Sequence, residues 1–182
     1  MPETETDWLT ETPRLRITPL VSDDAAAMTA LGNNRAVSRN MGVLTYPFSV
    51  DQARRWIELR SYRGEIGFWL GIRQRDGRLI GILGFGGEPV EIAYWLGQPY
   101  WGRGYASEAL KQFLNDAMDR FGVGEVHADV FEDNPASARV LEKLGFRGVG
   151  TGKQTSPARL EDAPVIKYRL SAGDLPAPDA RS

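Results

Sequence analysis

The chain has 182 residues, 42% of them apolar and 25% charged, which suits one soluble globular domain with a sizeable core. A net charge of −2 without a long basic run excludes recognition of nucleic acid or an anionic membrane by bulk charge. No apolar run is long enough to span a bilayer, and the acidic, polar first residues are unlike a secretory signal, so a cytoplasmic location is expected.

Residues 1–12 read as a loose polar arm, and 13–170 as one domain. Residues 14–20 alternate, predicting a strand with Leu15 and Ile17 inward. Ser22-Asp-Asp begins a helix that continues over 25–31. Residues 33–48 are less regular, with a short helix ending before Gly42. Ser49, followed three residues on by Gln52, is a capping-box pattern, and Ala53, Trp56 and Ile57 follow at helical spacing. The period then changes. Strand runs at 66–73, 79–85 and 90–96 are joined by Asp76-Gly77 and Gly86-Gly-Glu-Pro, the pattern of an antiparallel meander.

From Ala106, apolar residues at 110, 113, 117 and 121 mark an amphipathic helix that stops at Gly122. The strand at 126–131 follows a helix, so a crossover lets it lie parallel to 90–96. Asn134, Pro135 and Gly145 suit the cap, first turn and end of another helix, with Val140, Leu141 and Leu144 as its buried stripe. Strands at 146–149 and 164–170 close the domain around a loop at 150–163 that carries Lys153, Arg159, Glu161 and Asp162. Residues 171–182 read as a disordered polar tail. The order β-α-α-β-β-β-α-β-α-β-β predicts an α+β mixed sheet.

The junction at 91–107 stands out. A strand runs into a turn containing Gly102 and Gly104, then into a long helix. Such a turn directs several backbone N–H groups at one point, at the positive end of a helix dipole, and suits a phosphate. A P-loop fails here, because Arg103 and Gly104 occupy the positions of its Lys and its Mg²⁺-binding hydroxyl. A dinucleotide fingerprint fails because its third glycine position is Ser107 and the preceding strand belongs to a meander.

A third pattern fits. Trp101-Gly-Arg-Gly-Tyr-Ala106 resembles the R/Q-x-x-G-x-G/A signature of the GNAT acyltransferase superfamily. With Glu91-Ile-x-Tyr-Trp-Leu96 before it, the block looks like the Rim-type branch, which includes ribosomal-protein N-terminal acetyltransferases. Thr12-Pro-Arg-Leu-Arg-Ile-x-Pro-Leu20 and Asn134-Pro-x-Ser-x-Arg-Val-Leu-Glu-Lys-Leu-Gly-Phe146 resemble that branch's first strand and fourth helix. The resemblance covers about residues 12–170. It implies a GNAT-like, mostly antiparallel sheet of six or seven strands, flanked by about four helices, with one splayed parallel pair.

The resemblance also implies a ligand and roles. Acetyl-CoA would lie against Trp95, Leu96, Gly102, Arg103, Gly104, Tyr105, Ala106, Ser107, Asn134 and Ser137, with no metal. The pantetheine arm would enter the splay as a pseudo-strand, and a backbone N–H between Trp95 and Gly97 would meet the oxyanion. Glu91, early on its strand, would be the general base. The family's signature begins with Arg or Gln, where this chain has Trp101. Many members also carry a Tyr on the last helix that protonates the leaving thiolate, where this chain has Leu141. Ser137 is the remaining hydroxyl.

The chain has no cysteine and one histidine, His127. Disulfides, thiolate metal sites, a His-rich metal site and a cysteine acyl-enzyme are thereby excluded, so direct attack by an amine is expected. The expected activity is acetyl transfer from acetyl-CoA to a protein N-terminus or a small-molecule amine, by a monomer or homodimer. The alternatives are a non-catalytic acyl-CoA-binding module and a nucleotide-dependent enzyme. Plainer readings accompany the residues: Glu91 as a solvated carboxylate, Asn134 as a helix cap, Arg103 as a solvated arginine, and Ser107 as an ordinary helix residue. His127 reads as structural, and the aromatics at 46, 56, 69, 94 and 95 as core.

Overall fold

The computed structural model describes residues 7–179. Eight strands form one sheet in the order β1-β2-β3-β4-β5-β6-β8-β7. β1 (Thr10–Glu11), β2 (Leu15–Pro19), β3 (Phe68–Gln74), β4 (Leu79–Gly86) and β5 (Glu91–Leu96) pair antiparallel in sequence order. β6 (Glu125–Phe131) is the parallel neighbour of β5, and β7 (Arg147–Gln154) and β8 (Ala163–Ser171) form a hairpin whose second strand pairs with β6. The helices are α1 (Ala25–Gly32), α2 (Arg35–Ser38), α3 (Val50–Arg60), α4 (Tyr105–Phe121) and α5 (Pro135–Lys143).

The local signals have local causes. Ser49 and Gln52 cap α3 reciprocally at 3.2 and 2.8 Å. Gly122 ends α4 in the left-handed region at φ 64°. Seven of the eight residues of β4 are buried, because it is central and covered on both faces.

Two apolar clusters pack against opposite faces. α4 and α5 cover one, where Phe68, Phe85 and Phe113 are fully buried and Trp8 packs against Phe68, Phe113 and Phe121. α1 to α3 cover the other, over Met28, Met41, Phe48, Ile57, Ile82 and Trp95. β5 carries side chains to both: Ile92 and Leu96 to the first cluster, Trp95 to the second.

Several expectations need correction. Among the described residues the sheet has eight strands, not six or seven, because Thr10–Glu11 pairs with β2, while the short helix expected before Gly42 is Arg35–Ser38. The N-terminal arm is therefore not loose from residue 8 onward. Trp8 is 3% exposed, and a large aromatic is too apolar to leave in water when a core lies one strand away. Residues 1–6 of that arm lie outside the described residues. The tail expected at 171–182 is placed as far as residue 179, with Asn115 Nδ2 donating to the Pro176 carbonyl at 3.1 Å and Lys111 bridging Asp179 at 2.6 Å. Its last three residues lie outside the described residues. β7 runs to Gln154, so Lys153 sits on a strand. Alternating glycines at 148, 150 and 152 erased the apolar signal there.

Candidate functional site

β5 and β6 share one register pair, Glu91 with His127, closed by the His127 N–H donating to the Val90 carbonyl at 2.8 Å. Beyond it the strands part. A cavity of about 670 Å³ fills the gap and reaches both faces of the sheet. On one side are Gly102, Gly104, Tyr105, Ala106 and Ser107 at the start of α4, with Asn134 and Ser137 at the start of α5. On the other are Asn40 to Val43, Trp69 and Gln154. Glu91, Ala93, Tyr94, Trp95 and Leu96 run between them.

The turn before α4 has the geometry of an anion cradle. Gly102 and Gly104 sit at φ 71° and 77°, a left-handed conformation that costs an L residue about 1–2 kcal/mol. The first intrahelical bond runs from the Glu108 N–H to the Gly104 carbonyl at 3.1 Å. The N–H groups of Tyr105, Ala106 and Ser107 therefore have no helical acceptor. Trp101 explains its own presence. Its indole N–H donates to the Leu96 carbonyl at 2.8 Å, pinning the turn to the end of β5.

Sequence reading missed Arg14. Its guanidinium donates to the Arg103 carbonyl at 3.0 Å, bonds Glu108 at 2.6 Å and lies 4.5 Å over the Tyr105 ring. It holds the turn and offsets the one carboxylate in the first turn of α4. The pair is long-range, spanning 94 residues, so local pattern carried no sign of it.

Backbone alternation sorts the expected oxyanion donors. The Gly97 N–H donates to the Ile80 carbonyl at 2.9 Å, so Gly97 is unavailable. Counting back along the ladder, Trp95 faces Ile82 in a hydrogen-bonded pair and is also turned away. Tyr94 and Leu96 direct their N–H groups into the gap. The same parity places the Val90 and Leu96 carbonyls on that side, where His127 and Trp101 meet them. Trp95 contributes a side-chain wall instead.

Every expected site residue except Arg103 lines the cavity. Arg103 is exposed and contributes its carbonyl to Arg14. Glu91 is exposed and faces the α1–α3 side with Ala93 and Trp95. Asn134 Oδ1 caps α5 by accepting the Ser137 N–H at 3.3 Å. Leu141, one helical turn beyond Ser137 on the same stripe, is fully buried and brings no hydroxyl. His127 bonds Glu125 at 2.7 Å, and its backbone closes the parallel pair. Of the aromatics expected in the core, Trp69, Tyr94 and Trp95 line the cavity, and Tyr46 is 38% exposed beneath Arg35. Tyr94 Oη lies 2.7 Å from Ser137 Oγ. Burial pushes its phenol up to about 12, against a smaller opposing effect of the Ser137 bond.

The far side is held by charge. Arg159 grips Asp133 through Nη1 and Nη2 at 3.0 and 2.7 Å and donates from Nε to the Arg39 carbonyl at 2.7 Å, and the Arg39 side chain reaches Asp133 at 2.7 Å. The Arg159 and Arg39 guanidiniums hold the Asp133 carboxyl below its ordinary value of 3.8, with the Arg159 hydrogen bond the largest cause. Ser156 adds a bond to the Met41 carbonyl at 2.8 Å. Gly42 lies against the Gln154 side-chain amide, whose Nε2 would be 2.6 Å from a Cβ there and would have to move aside. Among the described residues no helix is long and apolar enough to cross a membrane, and no group of His, Cys, Asp and Glu side chains suits a metal ion.

Residues 14–147 match the family model described as "Acetyltransferase (GNAT) domain". The chain belongs to the GNAT acetyltransferase family. It is an acyl-CoA-dependent acetyltransferase by that membership. Among similar proteins, the uncharacterized N-acetyltransferase YoaA of Bacillus subtilis (strain 168) is 33% identical over 152 residues, covering 79% of this chain and 85% of YoaA. Mycobacterium smegmatis RimJ, solved in complex with CoA-disulfide, superposes with a TM-score of 0.79 and 21% identity over 94% of this chain and 90% of RimJ. The microcin C7 self-immunity acetyltransferase MccE, solved with acetyl-CoA and AMP, gives a TM-score of 0.77 and 16% identity over 88% of this chain and 93% of MccE. At these identities the two structures bear on the fold alone.

Proposed function

We propose that this acetyltransferase moves an acetyl group from acetyl-CoA directly to the primary amine of a protein N-terminus or a small molecule. The observation that carries this reading is the gap beyond Glu91 and His127, which joins the α4 cradle on one face to Glu91 on the other. The solved complexes of RimJ with CoA-disulfide and of MccE with acetyl-CoA, on the same fold, support the choice of ligand. The pyrophosphate takes the free N–H groups of Tyr105, Ala106 and Ser107, with Gly102 and Gly104 giving the backbone its approach. The pantetheine arm lies beside Tyr94 and Leu96, and Asn134 and Ser137 flank its thiol end.

In the reaction a neutral amine attacks the thioester carbonyl carbon. The C–N bond forms, and the amine proton passes to Glu91 directly or through one water. The oxyanion meets a backbone N–H of the Tyr94–Leu96 pair. The C–S bond then breaks, and sulfur keeps the electron pair beside the Ser137 hydroxyl. An α-amine ionises near 8 and a lysine-type amine near 10.4, so an α-amine asks less of the base.

The test is acetyl-CoA turnover against peptides with varied first residues and against small amines. Glu91→Gln should lower kcat and remove the basic-form requirement from the pH–rate profile. An unchanged profile would take Glu91 out of the mechanism, and no turnover with any amine would sink the reading.

A further inference from the structure

We propose that Tyr94 is a positioning residue for the leaving-group step: its hydroxyl donates to Ser137 Oγ and so turns the Ser137 proton into the cleft, toward the CoA sulfur. The inference rests on the proposed acetyl-CoA reading and adds a residue to it.

Three observations carry it. Tyr94 Oη and Ser137 Oγ are 2.7 Å apart, the one hydrogen bond between the side chains of β5 and α5 among the described residues. Both residues line the cavity that the thioester would enter. Leu141, which shares the Ser137 stripe of α5, supplies no donor of its own. The strand thus brings a second hydroxyl to the sulfur end of the cleft, beside that of Ser137.

The direction of the bond follows from acidity and placement. A phenol is a stronger acid than an alkyl alcohol, so in a tyrosine–serine pair the phenol donates and the serine oxygen accepts. Among the described residues Tyr94 Oη has no other partner, so donating to Ser137 also satisfies its only polar atom. Ser137 keeps one proton and a freely rotating O–H bond. With one lone pair engaged by Tyr94, that proton is directed away from Tyr94 and into the cavity. A donor that is itself receiving a hydrogen bond is polarised and donates more strongly. Burial keeps the phenol neutral throughout the working pH range, so Tyr94 stays a donor.

No proton has to cross the pair. As the C–S bond breaks, the electron pair settles on sulfur, and the Ser137 O–H shares its proton with the thiolate while Tyr94 O–H holds the Ser137 oxygen. The thiolate then takes a proton from water, matching the one the amine gave to Glu91. Tyr94 touches neither acetyl carbon nor sulfur, and acts through Ser137.

The experiment reads the bound thiol itself, which needs CoA binding and no acceptor. Thiolate absorbance of CoA is titrated on the wild-type protein, Tyr94→Phe, Ser137→Ala and the double variant, with thermal shift by CoA as the binding control. The wild type should bind CoA and lower its thiol pKa. Tyr94→Phe should lose part of that lowering and Ser137→Ala should lose more. The double variant should match Ser137→Ala. The kcat loss in Tyr94→Phe should be about three- to ten-fold, and about one-fold when made on Ser137→Ala. An identical thiol titration in wild type and Tyr94→Phe, or equal losses from Tyr94→Phe with and without Ser137, overturns the inference while leaving the acetyl-CoA reading standing. If CoA gives no thermal shift on the wild type, both fail.

Discussion

The two faces of β5 are built by different means. On the α4–α5 face the anion cradle is made of local backbone: two left-handed glycines and three free N–H groups, with a helix cap at Asn134 beside it. The glycines and the N–H groups lie together between Gly102 and Ser107, and Asn134 caps its own helix by accepting from Ser137 three residues on. On the α1–α3 face the site is made of long-range side-chain contacts, with Arg159 reaching back 120 residues to the Arg39 carbonyl and Ser156 reaching back 115 to Met41. A phosphate is the same in every CoA, so a fixed backbone cradle suffices. An acceptor varies between enzymes, and loops joined by side chains vary without disturbing the sheet.

The sharpest separation of the faces comes from their cores. Phe113→Ala removes a ring that packs against Trp8, Phe68 and Phe85, and should lower the unfolding free energy by about 3–5 kcal/mol in urea denaturation. A loss under about 1 kcal/mol would mean that α4 is not anchored as described. Gly104→Ala should cost about 1–2 kcal/mol of stability for a forced left-handed alanine. It should also weaken CoA binding while leaving the acceptor KM, at saturating acetyl-CoA, where it was.

Arg159→Met is the mirror experiment. It breaks the grip on Asp133 and should cost about 1 kcal/mol or less, because Asp133 is half exposed. Acceptor KM should rise several-fold with the CoA thermal shift unchanged. The reverse pattern would erase the division between the faces. The smallest effect is on pH. The Asp133 carboxyl is held below its ordinary 3.8 in the fold, so its contribution is present above that value. It is lost as pH falls through the depressed one. Asp133→Asn should therefore flatten the acid limb of the stability curve slightly, and an unaltered limb would show that the two arginines do little for folding.

The same division explains what could be read in advance. The Ser49–Gln52 box, the cap at Asn134, the glycine stops and the 91–107 junction were all legible, because each is a local preference of a few residues for one backbone conformation. β7 was read short because its glycines carry no apolar alternation, and Thr10–Glu11 was missed because a two-residue strand has no period. Arg14 on Glu108, Asp133 between Arg39 and Arg159, and Tyr94 on Ser137 join residues 94, 94, 26 and 43 positions apart, and no window along the chain contains them.

By itself, then, the sequence determined the order of the longer elements, the α4 cradle and the absence of a cysteine nucleophile, since these depend on residue type and short spacing. Tertiary structure alone decided which N–H groups of β5 face the gap, that Arg103 turns away from the cavity, and that a tyrosine hydroxyl meets Ser137. Those outcomes depend on ladder parity and on which strands part beyond Glu91 and His127, and both are set only when distant strands pair.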